Sequence, residues 1–532
     1  MHDYVIVGGG SAGCVLAARV SQDPEVSVAL LEAGPPDDLP EIRIPARLGL
    51  LFKTHVDWDF DTEPEPHLDA RRTYLPRGRV LGGSGSLNGM VYIRGHRADF
   101  DEWAAMGLDG WGYEDVLPYF RRSEDNERGE DDYHGAGGPL AVSDNRSGQP
   151  LADAWVEAAV QAGHERNEDF NGASQEGVGR YQVTQRNGLR CSAADAFLAP
   201  ARERPNLSVI TDAHATEILF TGRRATGVRY LRFGEVREAI AGREVIVCAG
   251  AYGSPQLLML SGIGPAAYLR SLEIDVREDL PAGENLVDHP TALMTYRTTT
   301  KGIFGAWTRE NQVLLEEEGR GPLTSNLAEA GGFVRTRPEL EAPDVQFHAG
   351  VSMFFDEGLG AQYDHGHGFG PNVAKPTSRG RVTLRSRMPT AKPRIAHNFL
   401  ATEEDRATML AGMRLALEIA EQPAVRDIRR ETIRAPASDS DEDIMAFLRR
   451  NTQTNYHPAG TCAMGAVVDA ELRVPGVEGL RVADASVMPS IIRGNTNAPV
   501  IMIAEKAADL IRGRTPPTAP MLAKESRPAS GG

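Results

Sequence analysis

The chain has 532 residues, of which 41% are hydrophobic, and it carries a formal net charge of −17. This length is too great for one compact hydrophobic core, so we expect two or three domains. The acidic balance argues against a nucleic-acid-binding protein, because such proteins need a basic face that replaces counterions.

The first 34 residues predict a nucleotide-binding unit. An apolar run leads into Gly8, Gly10 and Gly13; a helical pattern and a second apolar run follow, and the second run ends at Glu32. In such a strand–turn–helix–strand unit the glycines make the turn, bring backbone close to a pyrophosphate and let the helix pack on the strand. Glu32 is placed to accept hydrogen bonds from a ribose diol and would repel a 2′-phosphate. The motif alone leaves NAD and FAD open.

A second glycine- and serine-rich segment spans residues 77–95 and reads R-G-R-V-L-G-G-S-G-S-L-N-G-M-V-Y-I-R-G. Apolar residues interleave with its glycines, which is unusual for a flexible linker. The mixture favours a buried backbone that lies close against a flat ligand. The preceding stretch, residues 35–76, is rich in proline and acid, and we expect it to be largely irregular.

Downstream, apolar periodicity separates helical from strand-rich regions. Between residues 206 and 250 the pattern indicates strands that return the chain to the first domain. Residues 300–450 alternate as an antiparallel sheet does, and we interpret them as a separate substrate domain. Helices are predicted over residues 98–106, 113–124, 151–162, 254–261, 403–421, 441–450 and 500–512.

Metal and membrane signals are weak. The stretch H-G-H-G at residues 365–368 has no cysteine or carboxylate cluster to complete a metal shell, and we interpret it as a mobile loop beside the site. The four cysteines are scattered, which is typical of buried thiols in a reducing compartment. No apolar run approaches ~18 residues, so no spanning helix is predicted. We expect a cytoplasmic protein, with peripheral contact to the inner membrane left open and the oligomeric state undetermined.

Six segments together resemble one family. They are D-Y-V-I-V-G-G-G-S-A-G near the N-terminus, the loop of residues 78–95, G-A-Y-G-S-P-Q-L-L-M-L-S-G-I-G at 250–264, N-L-V-D-H at 285–289, N-Y-H-P-A-G-T-C at 455–462 and G-N-T-N-A-P at 494–499. In this order they resemble the glucose–methanol–choline (GMC) oxidoreductases, and within that family the bacterial primary-alcohol and choline dehydrogenases. The resemblance covers roughly residues 3–512 and implies FAD, a two-domain fold and oxidation of an alcohol.

The resemblance also implies the domain plan. The fold class is α/β, with a Rossmann-like FAD-binding domain and a substrate domain built on an antiparallel sheet flanked by helices. The predicted FAD-binding domain is discontinuous, the substrate domain has two segments, and a disordered tail ends the chain. The boundaries are 1–155, 205–300 and 451–515 for FAD, 156–204 and 301–450 for substrate, and 516–532 for the tail.

Alcohol oxidation removes a hydroxyl proton and a hydride from one carbon, and flavin N5 can accept the hydride. Histidine, with a reference pKa of about 6.5, is best matched to the proton. His457 falls at the family's catalytic-histidine position. Asn495 falls where the family carries histidine or asparagine, and its amide can hold the substrate oxygen. A helix N-cap is the alternative role for Asn495 or Asn497.

Other site residues are carried over from the family. A histidine that links FAD covalently in some members is matched here by Leu87, so non-covalent FAD is implied. Glu329 and His348 are candidates for substrate contact, since a carboxylate near Glu329 faces the ammonium group in choline-specific relatives. For FAD we expect contacts from Gly8, Gly10, Gly13, Glu32, Ser84, Asn88, Gly89, Met90, Val91, Ala215, Asp484, Ala485 and Asn497.

The leading hypothesis is an FAD-dependent alcohol dehydrogenase that converts a primary alcohol to an aldehyde and passes electrons to a quinone or another carrier. The alternatives are an alcohol or choline oxidase that uses oxygen, a lyase or photodecarboxylase on the same fold, and a flavin-binding protein without catalysis. The expected partners are a small alcohol and the electron acceptor, and no metal is predicted.

Overall fold

The computed structural model describes residues 1–518. Its longest helix begins after Thr402, whose hydroxyl accepts a hydrogen bond from the Asp405 N–H and so caps the first turn. In chain order the helices are α1 Ser11–Val20, α2 Pro40–Arg43, α3 Arg97–Ala105, α4 Tyr113–Ser123, α5 Pro150–Gln161, α6 Ala199–Ala201, α7 Gly250–Leu260, α8 Ala266–Ser271, α9 Arg309–Glu318, α10 Glu403–Ala420, α11 Pro423–Arg426, α12 Asp441–Asn451 and α13 Asn497–Arg512.

The strands form two large sheets and four small ribbons within the described residues. In chain order they are β1 His2–Val7, β2 Val28–Leu31, β3 Phe60–Asp61, β4 Tyr74–Leu75, β5 Glu124–Asn126, β6 Leu140–Val142, β7 Gly177–Arg180, β8 Gln185–Arg186, β9 Leu189–Arg190, β10 Leu207–Ile210, β11 His214–Thr221, β12 Arg224–Arg232, β13 Glu235–Val247, β14 Pro290–Thr291, β15 Met294–Thr298, β16 Ala328–Val334, β17 Val345–Gly350, β18 Gly366–Val373, β19 Arg381–Thr383, β20 Arg394–Ala396, β21 Arg429–Arg434, β22 Gln453–Thr454 and β23 Leu480–Val482.

The first sheet contains a parallel layer in the order β10–β2–β1–β13–β23. Helices cover this layer, which is why β1 and β2 are nearly continuous apolar runs. The long strand β13 leaves the layer at its N-terminal half, where it pairs antiparallel with β12, and β12 pairs antiparallel with β11. The predicted Rossmann-like unit is confirmed.

The second sheet is antiparallel and runs in the order β21–β15–β18–β17–β16–β7. Helices α5 and α10 pack on it and share its hydrophobic core, which is separate from the core of the first sheet. Strand β14 pairs with both β18 and β22. The predicted antiparallel sheet with flanking helices is therefore confirmed.

Two local expectations are wrong. Residues 365–368 are not a mobile loop: strand β18 starts at Gly366 and is buried along its length, and His367 Nδ1 lies 2.8 Å from the Gly350 carbonyl oxygen. Helix α7 begins at Gly250, four residues before the predicted start, because Gly250 adopts a φ of +79° that lets the chain turn directly from β13 into the helix.

The predicted domain boundaries stay a prediction. The predicted tail over 516–532 lies mostly outside the described residues, since only 516–518 are described and they form no regular element. Within residues 1–518, no helix is long and apolar enough to cross a membrane, and no group of three or more metal-ligating side chains is present.

Candidate active site

A cavity of about 670 Å³ runs along the carboxyl ends of the parallel strands. The residues just beyond β1, β2, β13 and β23 line it: Gly8, Glu32, Cys248 and Asp484. Ligands of open α/β sheets bind at this edge, where strand order reverses. The cavity continues to the second sheet, where His348, His457 and Asn495 line its other end. Its size falls within the usual range for cofactor and substrate sites.

Glycines bring the two predicted loops into contact. Gly8 has a φ of +101°, and a Cβ on Gly13 would lie 1.9 Å from the Gly8 carbonyl oxygen, so α1 packs directly on the turn. A Cβ on Gly83 would lie 2.7 Å from the Gly10 Cα, and the Gly82 N–H donates to the Gly9 carbonyl at 2.7 Å. The second loop therefore lies against the first as well as along the cavity.

One end of the cavity fits the adenosine half of a dinucleotide. Glu32 and Ala215 both line it. Glu32 accepts hydrogen bonds from the Gly9 and Gly34 N–H groups, at 2.8 Å each, through different carboxylate oxygens. Each oxygen keeps a lone pair for a ribose hydroxyl. Burial raises the pKa of Glu32 to about 7, although the two backbone donors oppose this shift.

Asp484 organises the middle of the cavity. Its buried carboxylate accepts from the Gly250 N–H at 2.8 Å, the Ser254 hydroxyl at 2.5 Å, and the N–H and hydroxyl of Ser486 at 2.8 and 2.5 Å. The carboxylate thus holds the start of α7 against the turn that contains Ala485. Burial raises the pKa of Asp484. Asp484 and Ala485 both line the cavity, and Asp484 shapes it through these contacts.

The segment from Ser84 to Val91 lines the cavity between its two ends. Asn88 Oδ1 accepts from the Met90 N–H at 3.0 Å, and Met90 takes a φ of +56°. The Gly89 carbonyl accepts from Asn326 Nδ2 at 2.7 Å, which ties the segment to the second sheet. Leu87, where a covalent flavin link would need a histidine, also lines the cavity.

Helix α13 points its N-terminus into the cavity, but neither asparagine caps it. Thr496 occupies the N-cap position and no side chain accepts from the first turn. Asn497 is instead the first helical residue, and its Oδ1 accepts from the Ser11 hydroxyl at 2.7 Å. The N-cap role for Asn495 or Asn497 is therefore wrong. The helix dipole favours negative charge at this point in the cavity.

His457 lies at the opposite end from Glu32, and the main chain brings a second histidine to it. Strand β14 pairs with β22, and the Val287 and Ala459 backbones exchange hydrogen bonds, so residues 287–291 run beside 453–459. Asp288 Oδ1 accepts from the N–H groups of both His289 and His457, at 2.8 and 2.9 Å. The two imidazoles then meet at 3.0 Å between their Nδ1 atoms.

The contact between the two imidazoles fixes which nitrogen of each ring carries the proton. His289 Nε2 lies 3.0 Å from two carbonyl oxygens, those of Ala374 and Ile492, so it carries the proton. Burial lowers the pKa of His289 to about 4, so the ring is neutral and its Nδ1 accepts. His457 Nδ1 must then be the donor, which leaves His457 Nε2 unprotonated, with a lone pair that can accept a hydrogen bond or a proton. Burial, chiefly, lowers the pKa of His457 well below 6.5.

Asn495 is oriented by its own network. Its Oδ1 accepts from Gln346 Nε2 at 3.0 Å, and Gln346 Oε1 accepts from Asn372 Nδ2 at 3.3 Å. The Asn495 amide therefore turns its NH₂ group toward His457, and the Nδ2–Nε2 distance is 3.1 Å. An alcohol oxygen beside this pair would face one donor, Asn495 Nδ2, and one base, His457 Nε2.

Of the two residues predicted to contact substrate, one lines the cavity and the other does not. His348 lines the cavity beside Asn495, and its buried Nδ1 has no partner among the described residues. Burial lowers its pKa to about 4, so this ring is neutral. Glu329 does not line the cavity: Ser147, Ser325 and Arg180 bind its carboxylate at 2.7, 2.5 and 3.3 Å. The geometry gives no support to the predicted contact between Glu329 and substrate.

Beyond the histidines, the cavity wall is mainly apolar and aromatic. Three carboxylates line the whole cavity: Glu32, Asp484 and Asp57, and the last accepts from three backbone N–H groups and the Tyr74 hydroxyl. Asp484 and Asp57 each accept four hydrogen bonds, whereas Glu32 accepts two and keeps acceptor capacity at the adenosine end. Apolar and aromatic side chains that line the cavity include Leu48, Phe52, Leu293, Leu327, Phe354 and Tyr456.

Two segments of the chain match the model of one family, described as GMC oxidoreductase, over residues 2–291 and 376–504. The chain belongs to the GMC oxidoreductase family. This confirms the predicted family and, with it, FAD as the cofactor. The two glycine loops, the two helix N-termini and the acid at the adenosine end fit that cofactor.

Named relatives cover nearly the whole chain. An alcohol dehydrogenase [acceptor] of Pseudomonas putida is 44% identical, over 96% of this chain and 96% of that protein. An oxygen-dependent choline dehydrogenase of Pseudomonas fluorescens SBW25 is 46% identical, over 97% and 94%. Among solved structures, a formate oxidase of Aspergillus oryzae RIB40, described for its FAD modification, matches with a TM-score of 0.89, 28% identity and coverage of 96% and 98%. Both dehydrogenases and oxidases are therefore similar to this GMC oxidoreductase.

The motif analysis missed the residues that orient the base. Asp288 and His289 stand in the quoted N-L-V-D-H segment, but no role followed from it. Gln346 lies in β17 without any motif. The signal in the sequence is an acid next to a histidine, Asp288 and His289, immediately before Pro290.

Proposed function

We propose that this GMC oxidoreductase oxidises an uncharged primary alcohol to the aldehyde and passes the electrons to a quinone or another carrier. The observation that carries the proposal is the unprotonated Nε2 of His457, which lies 3.1 Å from the Asn495 NH₂ group at the cavity wall. FAD is the cofactor, and when bound it supplies the acceptor for the hydride that leaves the alcohol carbon.

The residues act on the hydroxyl group. Asn495 Nδ2–H donates to the alcohol oxygen and places its proton at His457 Nε2. His457 is neutral because burial lowers its pKa, so Nε2 can accept that proton at neutral pH, although the same shift makes it a weaker base. As positive charge develops on the ring, the bond from His457 Nδ1–H to His289 Nδ1 strengthens. Asp288 holds both histidine backbones and so keeps this bond in place.

The wall of the cavity supports an uncharged substrate. Aromatic rings such as Phe52, Phe354 and Tyr456 line the cavity and could bind a quaternary ammonium group, so the case against such a substrate rests on the carboxylates alone. Here each lining carboxylate is already bound by backbone donors, and Glu329 is bound by Ser147, Ser325 and Arg180. Aliphatic side chains such as Leu48, Leu293 and Leu327 favour an apolar chain on the alcohol.

An oxidase that uses oxygen is the second candidate, since a formate oxidase shares the fold at 28% identity. The choline dehydrogenase at 46% identity is itself named oxygen-dependent, and the dehydrogenase is preferred only because the relative at 44% identity is named alcohol dehydrogenase [acceptor]. We also propose that FAD is held without a covalent bond, because Leu87 offers no nucleophile.

The experiment is anaerobic reduction of the purified holoenzyme, followed by the loss of flavin absorbance near ~450 nm. The panel contains primary alcohols of increasing chain length, an aryl alcohol and choline. We expect uncharged alcohols to bleach the flavin and choline to be at least about tenfold slower. Slow recovery in air supports the dehydrogenase, and fast recovery with peroxide supports the oxidase. No bleaching by any alcohol, with FAD bound, would refute alcohol oxidation.

A further inference from the structure

Arg190 is a buried cation without a counter-charge. It ends strand β9 and is 2% exposed. Its Nε donates to the Ile42 carbonyl at 2.8 Å, and its Nη1 donates to the Gly85 carbonyl at 3.2 Å and to Asn88 Oδ1 at 2.8 Å. Its Nη2 has no partner among the described residues. Within residues 1–518 its acceptors are two carbonyls and one amide oxygen, and none is a carboxylate.

A second fully buried arginine does have a counter-charge. Arg94 is 1% exposed and forms an ion pair with Glu124 at 2.5 Å. Buried charges in proteins are normally paired in this way, because removal from water is costly. Burial alone lowers the pKa of Arg190, to about 9, and the group stays charged at neutral pH. A buried positive charge of this kind favours a negative charge nearby.

The guanidinium group lies directly behind the segment that forms the middle of the cavity. Gly85 and Asn88, which accept its Nη1 bonds, both line the cavity. A Cβ on Gly85 would lie 2.9 Å from Ser11 Oγ and 3.6 Å from Asn497 Oδ1. Gly85 therefore stands between the N-termini of α1 and α13, and the Arg190 charge adds to two positive helix ends.

We propose that Arg190 is an electrostatic positioning residue: it clamps the segment 84–91 to the residue-42 backbone and stabilises the negative charge that reduction places on the bound flavin. Hydride transfer brings two electrons and one proton, while the second proton of the alcohol goes to His457, so the flavin gains one negative charge. The proposal rests on the flavin lying along residues 84–91, as in the proposed function, but it does not depend on alcohol turnover.

The test is the midpoint potential of the bound flavin, measured by dithionite titration against a reference dye. In Arg190→Met, the equilibrium constant for reduction should fall about tenfold or more, which is ~30 mV for a two-electron couple. Arg190→Lys, measured below neutral pH where a buried lysine keeps its charge more readily, should lose less than Arg190→Met. Arg43→Gln removes an exposed arginine of α2 that pairs with Asp195 and should leave the potential unchanged.

Three results would overturn the proposal: an unchanged potential in Arg190→Met with full FAD, an equal fall in Arg190→Lys, or an equal fall in Arg43→Gln. An unchanged potential with a lower melting temperature would leave only a structural clamp. If Arg190→Met does not fold, the test is the midpoint potential of the wild-type holoenzyme. The proposal requires that its bound flavin has a higher potential than free FAD. A bound potential at or below that of free FAD contradicts the proposal. Failure of alcohols to reduce the enzyme affects none of these readings.

Discussion

Replacing His289 with leucine should slow alcohol oxidation without removing FAD. Leucine fills a similar volume but offers no acceptor to His457 Nδ1–H, which now sits 3.0 Å from His289 Nδ1. A buried donor left without a partner costs about 1–3 kcal/mol. The cost falls mainly on the transition state, because the proton arriving at Nε2 makes Nδ1–H a stronger donor. At ~1.4 kcal/mol per factor of ten, kcat/KM should fall roughly 5- to 150-fold.

His289→Asn is the matched control. Its Oδ1 replaces the Nδ1 acceptor, so it should keep kcat/KM closer to the wild type than the leucine variant does. The assay is steady-state kcat/KM with the best uncharged alcohol, alongside the flavin-to-protein absorbance ratio and the melting temperature. If His289→Leu keeps kcat/KM within twofold of the wild type with full FAD, or if both variants lose the same factor, the tautomer argument is wrong.

Three further predictions follow from the same geometry. Because burial lowers the pKa of His457, the acid limb of the kcat/KM profile should lie below pH 6.5, and a limb above that value would show that the base is another group. Glu329→Gln should leave kcat/KM for an uncharged alcohol within about threefold of the wild type. It should lower the melting temperature, because the charged hydrogen bonds of Glu329 to serine and Arg180 are lost. A large rise in KM would place Glu329 at the substrate. Burial lowers the folded-state pKa values of His289 and His348 to about 4. The free energy of unfolding that each histidine contributes, ~3 kcal/mol, is therefore complete above pH 6.5 and is lost as the pH falls toward 4. A melting temperature that stays constant from pH 7 to 4.5 would contradict this.

The nucleotide fold could be predicted because its signals are local. Gly8, Gly13 and Glu32 lie within one strand–turn–helix–strand unit. The structure places Gly8 and Glu32 at the carboxyl ends of β1 and β2, and Gly13 in the first turn of α1, packed on Gly8. The start of α7 could not be predicted, because it depends on Asp484, which is 234 residues away along the chain and holds the Gly250 N–H.

The candidate base could be found from a motif, but its tautomer could not. His289 and His457 are 168 residues apart, and their contact depends on the register between β14 and β22. The direction of the Glu329 side chain could not be predicted for a related reason. The register of β16 shifts between Ala328 and Ala330, and the Glu329 side chain points toward Ser147 and Ser325 instead of the cavity. Sequence alternation alone does not reveal such a shift.

The most direct measurement is anaerobic single turnover of the wild type and His457→Ala with the same uncharged primary alcohol, each with its FAD content determined first. We expect both proteins to hold FAD. The rate of flavin reduction in His457→Ala should be lower by ~10²-fold or more, which is the scale of a lost general base. A flavin that is reduced at nearly the wild-type rate in His457→Ala would contradict the central claim that His457 takes the hydroxyl proton.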